Sequence, residues 1–296
     1  MPQVSANDIV IEYETHGDPS NETILLIMGL GTQLIAWPDD FCDELVALGY
    51  HVVRFDNRDV GLTTRFDHAR TPKIPALVAL KLLRLPMLVP YRLRDMADDA
   101  VALRDALNIE AAHIVGASMG GMIAQLVAAH YPERTRSLTS IMSTSGHRSL
   151  PRSEPEAAKM LMLQPEDPDS MTSVIERNIK VRRTLQSPAY PKTDEEIRDS
   201  ETRAIDRAGY HPKGVTRKLA AIIAAAERRP LLRSIKAPSL VIHGEDDPLV
   251  PAACGVDTAK HLPNAELKLF PGMAHDLPTA LLQPMAALIH ATARRA

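Results

Sequence analysis

Short apolar runs alternate with stretches of helical period towards both ends of the chain. The runs ILLIM, HIVG and SLVIH are almost entirely apolar, which is typical of parallel strands that are buried on both faces. We predict strands at Ile9–Tyr13, Ile24–Met28, His51–Phe55, His113–Gly116, Leu138–Met142, Ser239–His243 and Ala265–Phe270. We predict helices at Trp37–Ala47, Leu93–Leu107, from Met119 onward, and Pro284–Ala293. The repeated strand–helix units predict an α/β fold with a mostly parallel central sheet and helices on both faces.

The middle of the chain has a different pattern, with no strand-like run between residues 146 and 229. Four helical stretches punctuated by prolines are predicted there, at Glu154–Leu163, Met171–Leu185, Asp194–Ala208 and Lys213–Arg228. We interpret residues 146–229 as an all-helical cap inserted into a core formed by residues 1–145 and 230–296. Such a cap is expected over the carboxyl edge of the sheet, where open α/β sheets place their sites. An independent helical domain is the alternative.

A second apolar segment interrupts the series at about residues 66–91, with its most apolar part at Ile74–Val89. Lys81, Arg84 and two prolines break this stretch, so it is not long enough to be a membrane-spanning helix. We predict a buried element packed under the cap. An apolar entrance or a lid that touches a membrane is the alternative.

The composition is that of an ordinary globular protein, with 45% hydrophobic and 24% charged residues and a net charge of −3. This charge favours neither nucleic-acid binding nor stable membrane insertion. Cys42 and Cys254 lie far apart, and the histidines are scattered, so neither a metal site nor a disulfide framework is indicated. The first residues lack the pattern of a signal peptide, so a cytoplasmic location is expected. A homodimer is possible.

The stretch HIVGASMGGM, residues 113–122, places a glycine-rich turn between a strand and a helix. A dinucleotide-binding loop would need glycine at the position of Ser118 and an acid at the end of the next strand, and the sequence has neither. The same residues fit the pattern G-x-S-x-G, in which a strained turn exposes a nucleophilic serine. We therefore predict Ser118 as the nucleophile; a merely structural glycine-rich turn is the alternative.

A serine nucleophile needs a base and a group that orients this base. Asp247 and His275 follow two later predicted strands, in the order Ser, Asp, His that is typical of α/β hydrolases. We choose Asp247 over Asp246, which is expected to be a solvated loop carboxylate. His113 and His243 are expected to be packed residues, and Asp276 a surface acid.

The same chemistry requires donors for the oxyanion that forms during acyl transfer, usually two backbone N–H groups. Met119 follows the nucleophile at the start of a helix, where free N–H groups and the helix dipole coincide. The second donor is expected from the loop after an early strand, Met28-Gly29-Leu30, and Leu30 is our candidate.

The motifs ILLIMGLGTQLIAWPDDF, VVRFDNRDVGLTT, IVGASMGGMIAQ and FPGMAHDLP resemble those of α/β hydrolases with a helical cap, in particular the group typified by aclacinomycin methylesterase. This resemblance implies a cofactor-free carboxylic-ester hydrolase with Ser118, Asp247 and His275 as its catalytic triad. We interpret the matching loop from Asp56 to Gly61 as structural, with Arg58 bound to nearby carboxylates or carbonyls.

The expected substrate is a small to medium apolar ester, hydrolysed through an acyl-enzyme intermediate. Candidate substrate contacts are Met28, Gly29, Met142 and Met160, because methionine adapts its shape to varied apolar groups. Plain core filling is the alternative for each methionine. Two other functions stay open: hydrolysis of a C–C bond in β-diketones by the same triad, and non-catalytic binding of a small molecule on the hydrolase fold.

Overall fold

One eight-stranded sheet forms the centre of the protein in a computed structural model that describes residues 2–296. The strand order is β1-β2-β4-β3-β5-β6-β7-β8, with antiparallel pairs between β1, β2 and β4 and parallel pairs from β4 onward. The strands are β1 Gln3–Ala6, β2 Ile9–His16, β3 Thr23–Ile27, β4 His51–Phe55, β5 Ala112–Ala117, β6 Thr135–Ile141, β7 Ser239–Gly244 and β8 Ala265–Phe270. This architecture confirms the predicted α/β fold.

Eleven α-helices in the described residues connect and cover these strands. They are α1 Asp39–Ala47, α2 Ile74–Leu82, α3 Leu93–Ala106, α4 Met119–His130, α5 Pro155–Leu161, α6 Met171–Leu185, α7 Asp194–Ala208, α8 Pro212–Ala224, α9 Arg229–Leu232, α10 Ala252–His261 and α11 Leu282–Ala293. The sequence placed most of them within a few residues. The last predicted helix of the middle region was too long, because the chain leaves helical geometry at Ala225 before the short α9.

The core lies on both faces of the sheet, which explains why β3, β5 and β7 are apolar at nearly every position. All residues of these three strands are buried. On one face α1 and α11 contribute Phe41, Leu45 and Ile289, and on the other α3 and α4 contribute Met96 and Ile123. Since parallel strands end at one edge, the loops after β3, β5, β7 and β8 are brought together there.

A helical insertion separates β6 from β7 and contains α5 to α9. Its helices α6 and α7 pack through Ile175, Ile179 and Ile197. Two arginines tie it to the loop after β4, because Arg207 pairs with Asp56 and Arg217 pairs with Asp59. The division into core and cap, with a cap over the site, stays a prediction.

The apolar segment after β4 is only partly packed, so the prediction of a buried element was wrong. It forms α2, which packs against α8 but buries only Leu77. The side chains of Leu82 and Leu88 are 69% and 90% exposed. In residues 2–296, no helix is long and apolar enough to cross a membrane.

Candidate active site

Ser118 occupies the tight turn between β5 and α4, at the carboxyl edge of the sheet. Its backbone has φ 56° and ψ −118°, a conformation that a residue with a side chain adopts only under strain. Two hydrogen bonds hold it there, from Ser118 N–H to the Ile141 carbonyl at 2.9 Å and from Ser143 Oγ to the Ser118 carbonyl at 2.8 Å. The strained turn keeps the serine side chain partly accessible instead of packing it into the sheet.

The glycines on either side of Ser118 allow this turn to pack against its neighbours. A β-carbon at Gly116 would collide with the Gly120 carbonyl, and one at Gly120 would collide with the Ile27 carbonyl at the end of β3. Only glycine therefore lets α4 begin so close to β3 and β5. The glycine spacing in the pattern G-x-S-x-G therefore has a steric cause.

His275 lies between Ser118 and Asp247, on the loop after β8. Its Nδ1 is 2.7 Å from Asp247 Oδ2, and its Nε2 is 3.0 Å from Ser118 Oγ. A carboxylate only accepts hydrogen bonds, so Nδ1 carries the proton and Nε2 is free to accept the serine proton. The structure thus brings together all three residues that the sequence predicted as a triad.

Asp247 is buried, and each of its carboxylate oxygens has a partner. Oδ1 accepts the Leu249 and Val250 N–H groups at 2.9 and 2.8 Å, and Oδ2 faces His275. Burial alone would raise the pKa of Asp247. The charge of His275, together with hydrogen bonds from His243, His275 and the Val250 N–H, outweighs burial and holds this pKa below its usual range. Asp247 is therefore charged at neutral pH and can stabilise a protonated His275.

The two candidate oxyanion donors belong to the start of α4 and to the loop after β3. Met119 is the first residue of α4, and its N–H has no partner within the helix. Gly29 lies against the nucleophile, since a β-carbon there would be 3.2 Å from Ser118 Cβ. The next residue, Leu30, donates no backbone hydrogen bond within residues 2–296. The role of the two N–H groups as oxyanion donors stays a prediction.

The profile of the alpha/beta hydrolase fold family matches residues 22–278, which contain the sheet from β3 onward and all three triad candidates. The chain belongs to the alpha/beta hydrolase family. Among characterised relatives of this hydrolase, rhodomycin D methylesterase DauP from Streptomyces sp. (strain C5) is 29% identical and covers 99% of this chain and 98% of its own. The predicted resemblance to methylesterases of this fold is confirmed.

Other similar proteins catalyse different hydrolytic reactions on the same framework. The 3-oxoadipate enol-lactonase 2 of Acinetobacter baylyi is 26% identical, over 90% of this chain and 86% of its own. The structure of the meta-cleavage product hydrolase CumD of Pseudomonas fluorescens IP01 superposes on this protein with a TM-score of 0.78 at 18% identity. The match covers 100% of this chain and 98% of the CumD chain. The structural likeness establishes the fold.

The predicted substrate contacts fall in two kinds of surroundings. Met28 and Met142 are only 6% and 5% exposed and belong to the core on the α1 side of the sheet. Met160 lies on α5 of the insertion and is half-buried. Gly29 lies beside Ser118, as described above. Substrate contact stays a prediction for all four residues.

Several neighbouring residues have the surroundings that the sequence predicted. His113 is buried, with Nδ1 2.9 Å from Ser137 Oγ, and Asp246 is exposed. Arg58 makes two hydrogen bonds of 2.6 Å to Asp99, which confirms its structural interpretation. Asp276 was wrongly expected to be a surface acid: it is half-buried and accepts hydrogen bonds from the N–H and Oγ of Ser187 in the insertion.

Two supporting contacts of the site could not be predicted from sequence. Asn57 Nδ2 donates to the Met28 carbonyl at 2.9 Å, and Thr32 Oγ1 donates to the Gly29 carbonyl at 3.2 Å. Together they fix the loop that carries Leu30. The only signal for Asn57 in the sequence is its place in the motif DNRD, part of the loop that we interpret as structural.

His243 was expected to be a packed residue, and it is fully buried, but it also touches the acid of the site. Its Nε2 lies 2.6 Å from the Val250 carbonyl and 3.5 Å from Asp247 Oδ2.

In the part of the chain that the structure describes, no group of three or more His, Cys, Asp or Glu side chains is arranged to hold a metal ion.

Proposed function

We propose that this hydrolase is a serine carboxylesterase that acts on small to medium apolar esters through an acyl-enzyme intermediate. The observation that carries the proposal is the hydrogen-bonded series Ser118 Oγ, His275 and Asp247, with distances of 3.0 and 2.7 Å. A serine hydroxyl is a poor nucleophile at its free pKa, and a base in this position removes its proton as it attacks.

The first half of the proposed reaction forms the acyl-enzyme. Ser118 Oγ attacks the ester carbonyl carbon while His275 Nε2 takes the serine proton, and the N–H groups of Leu30 and Met119 bind the resulting oxyanion. Collapse of this tetrahedral intermediate breaks the bond between the acyl carbon and the alkoxy oxygen. His275 returns its proton to the leaving alcohol, and the acyl group stays on Ser118.

The second half repeats these steps with water as the nucleophile. His275 accepts a proton from the water as its oxygen attacks the acyl carbon, and the same two N–H groups bind the oxyanion. Collapse breaks the bond to Ser118 Oγ, which takes the proton from His275. The carboxylic acid leaves, and Asp247 has stabilised the protonated His275 in each half-reaction.

The choice of an ester is supported by the relatives, because a methylesterase and an enol-lactonase both act on an ester bond. An apolar substrate is supported by Leu30, a partly exposed aliphatic residue in the loop that follows β3 at the carboxyl edge. We further propose that the helical insertion acts as the cap that limits the size of the acyl and alcohol groups.

The test is a screen of esters in which acyl and alcohol length are varied separately. Wild type should hydrolyse short apolar esters, and Ser118→Ala should lower kcat by a factor of about 10⁶, as expected for loss of a triad serine. Ser149→Ala, which changes an exposed serine in the insertion, is the matched control and should behave as wild type. A fluorophosphonate probe should label wild type and the control but not Ser118→Ala.

Near-wild-type turnover in Ser118→Ala would overturn the proposal. Cleavage of a β-diketone with no ester turnover would assign the same triad to C–C bond hydrolysis instead. Binding of small apolar molecules without any turnover or labelling would indicate a non-catalytic protein.

A further inference from the structure

The α2 patch is the most exposed apolar surface in the described part of the chain. We define it as the five aliphatic side chains of α2 and the turn after it that face solvent: Val78, Leu82, Leu83, Leu85 and Leu88. Three of them are 68% to 90% exposed, whereas the exposed large apolar residues in the rest of residues 2–296 reach at most 48%. Five such residues within eleven positions are typical of an interaction surface.

Only one side of α2 packs against the rest of the protein. Leu77 is its single buried residue, and Lys81 Nζ donates to the Ile223 carbonyl of α8 at 2.7 Å. A helix that is apolar all round is normally buried on all sides. The remaining sides of α2 are therefore suited to contact with something outside the chain.

The charges around the α2 patch are of one sign. Residues 68 to 94 contain no Asp or Glu, although the whole chain has a net charge of −3. The cations of this stretch are Arg70, Lys73, Lys81, Arg84, Arg92 and Arg94. The helix packed against α2, α8, also has no acidic residue. Two acids flank this stretch in sequence: Asp67 lies 3.7 Å from Arg217 and 3.8 Å from His211, and Asp95 accepts the Arg92 N–H at 2.7 Å. Arg94 forms an ion pair with Asp98 at 2.7 Å.

Aliphatic side chains surrounded by cations match the surface of an anionic lipid bilayer, where acyl chains lie beneath negative headgroups. We propose that the α2 patch docks this hydrolase onto an anionic bilayer surface. Leu82, Leu83 and Leu88 enter the boundary between headgroups and acyl chains, and Lys73 and Arg84 contact the headgroups. With nine residues, α2 is about 14 Å long, so it lies in the interface and does not span the membrane.

A second copy of the chain is a poorer match for the same surface. In a twofold dimer each α2 patch would face its own equivalent, so the cations of both chains would be brought together. Like charges in an interface repel, and an anionic bilayer supplies the opposite sign instead.

The helix α8 links the α2 patch to the candidate active site. Its residue Ile223 contacts Lys81 of α2, and its Val215 lies against Gly31, since a β-carbon on this glycine would be 3.1 Å from Val215 Cγ2. Gly31 follows Leu30, the candidate oxyanion donor. Docking therefore brings the site close to a phase in which apolar esters dissolve; this consequence, unlike the docking itself, rests on the proposed function.

The test is flotation of the purified full-length protein with vesicles of pure phosphatidylcholine or of an equimolar mixture with phosphatidylglycerol. We expect binding to the mixed vesicles that weakens with added salt. The variants Lys73→Glu/Arg84→Glu and Leu82→Ser/Leu88→Ser should each bind at least about tenfold more weakly.

Two matched controls change exposed residues outside the patch, Arg152→Glu and Leu267→Ser, and should bind as wild type. Ser118→Ala should also bind as wild type, so a failure of docking is distinguished from a failure of the proposed esterase. All patch variants should keep the melting temperature of wild type.

Equal binding to the two kinds of vesicle, or equal binding by the patch variants and wild type, would overturn the proposal. A concentration-dependent dimer that Leu82→Ser/Leu88→Ser abolishes would assign the surface to a second copy and would overturn it as well.

Discussion

The carboxylate of Asp247 lies between two histidines that act on it in different ways. His275 binds Oδ2 directly and faces Ser118 with its other nitrogen. His243 lies 3.5 Å from the same oxygen, and its Nε2–H donates to the Val250 carbonyl, which only accepts. Because Val250 N–H in turn binds Asp247 Oδ1, His243 holds the loop that aims the acid at His275. We infer that His243 is a positioning residue.

His243→Phe keeps an aromatic ring in this buried position but removes the hydrogen bond to Val250. We expect kcat for ester hydrolysis to fall by about tenfold, which corresponds to the loss of one buried hydrogen bond of about 1.4 kcal/mol. KM should stay the same, because His243 does not touch the space beside Ser118. Steady-state kinetics on a short ester measures both values.

His113→Phe is the matched control for this variant. His113 is also fully buried and hydrogen-bonded, but its partners are Ser137 and Glu22 and not the triad. Stability should fall in both variants, and kcat in His243→Phe alone. A similar loss of kcat in the control would reduce the role of His243 to packing.

At the scale of elements, one buried ion pair fastens the helical insertion to the core. Arg217 on α8 donates to both carboxylate oxygens of Asp59, at 2.5 and 2.9 Å, and both side chains are fully buried. Tyr91, the Phe66 N–H and His211 also contact the Asp59 carboxylate. The next residue on α8, Lys218, donates to the Asp59 carbonyl at 2.7 Å. Removing the Asp59 charge would thus leave the buried Arg217 cation without its carboxylate partner.

Asp59→Asn should lower the free energy of unfolding by about 3 kcal/mol at neutral pH, the usual cost of breaking a buried pair from one side. Denaturant unfolding measures this change. Asp194→Asn is the control, because its pair with Arg183 is exposed and should contribute no more than about 1 kcal/mol. In Asp59→Asn/Arg217→Met the loss should be smaller than the sum of the single losses; additive losses would contradict the coupling of the pair.

The buried ion pair between Arg217 and Asp59 also gives the whole molecule a contribution to stability that is lost in acid. Burial would raise the pKa of Asp59, but hydrogen bonds from Arg217, Phe66 N–H, His211 and Tyr91 outweigh it and lower this pKa. An aspartate with a lowered pKa in the folded state stabilises the fold above its unfolded pKa of about 4. This stabilisation is lost as the pH falls from there towards the folded pKa.

The difference in unfolding free energy between wild type and Asp59→Asn should therefore be largest at neutral pH and shrink below about pH 4. The difference is the quantity to measure, because burial raises the pKa of Asp99 and Asp276. These two carboxyl groups therefore change the stability of both proteins with pH in the opposite direction to Asp59. Urea unfolding of both proteins at a series of pH values tests this. A difference that stays constant into acid would show that the Asp59 charge does not stabilise the fold.

The sequence predicted the fold and the triad candidates because both depend on local rules. Strands buried on both faces must be apolar, and the packing of α4 on β3 and β5 requires glycine at 116 and 120. These requirements leave a pattern in the letters. The strand β1 was missed because its four residues, QVSA, lie at the sheet edge and are mostly not buried, so they have no apolar pattern.

The remaining features depend on contacts between distant parts of the chain, which a pattern does not encode. Asp276 is half-buried because Ser187 of the insertion reaches it, and His243 meets Asp247 because the intervening loop folds back. For α2, apolarity led to the wrong prediction of a buried element, since only Leu77 is buried. A pattern of apolar residues does not tell whether the contacts of a helix come from its own chain.

The base of the candidate site comes late in the chain. Ser118 and His275 are 157 positions apart, and His275 follows the edge strand β8. Since a ribosome adds roughly 10 residues per second, the base emerges about 15 seconds after the serine. Until then Ser118 is a serine at its free pKa, which attacks esters poorly. If the proposed triad carries the reaction, nascent chains are therefore inactive during synthesis, and hydrolysis begins only when the last strand has joined the sheet.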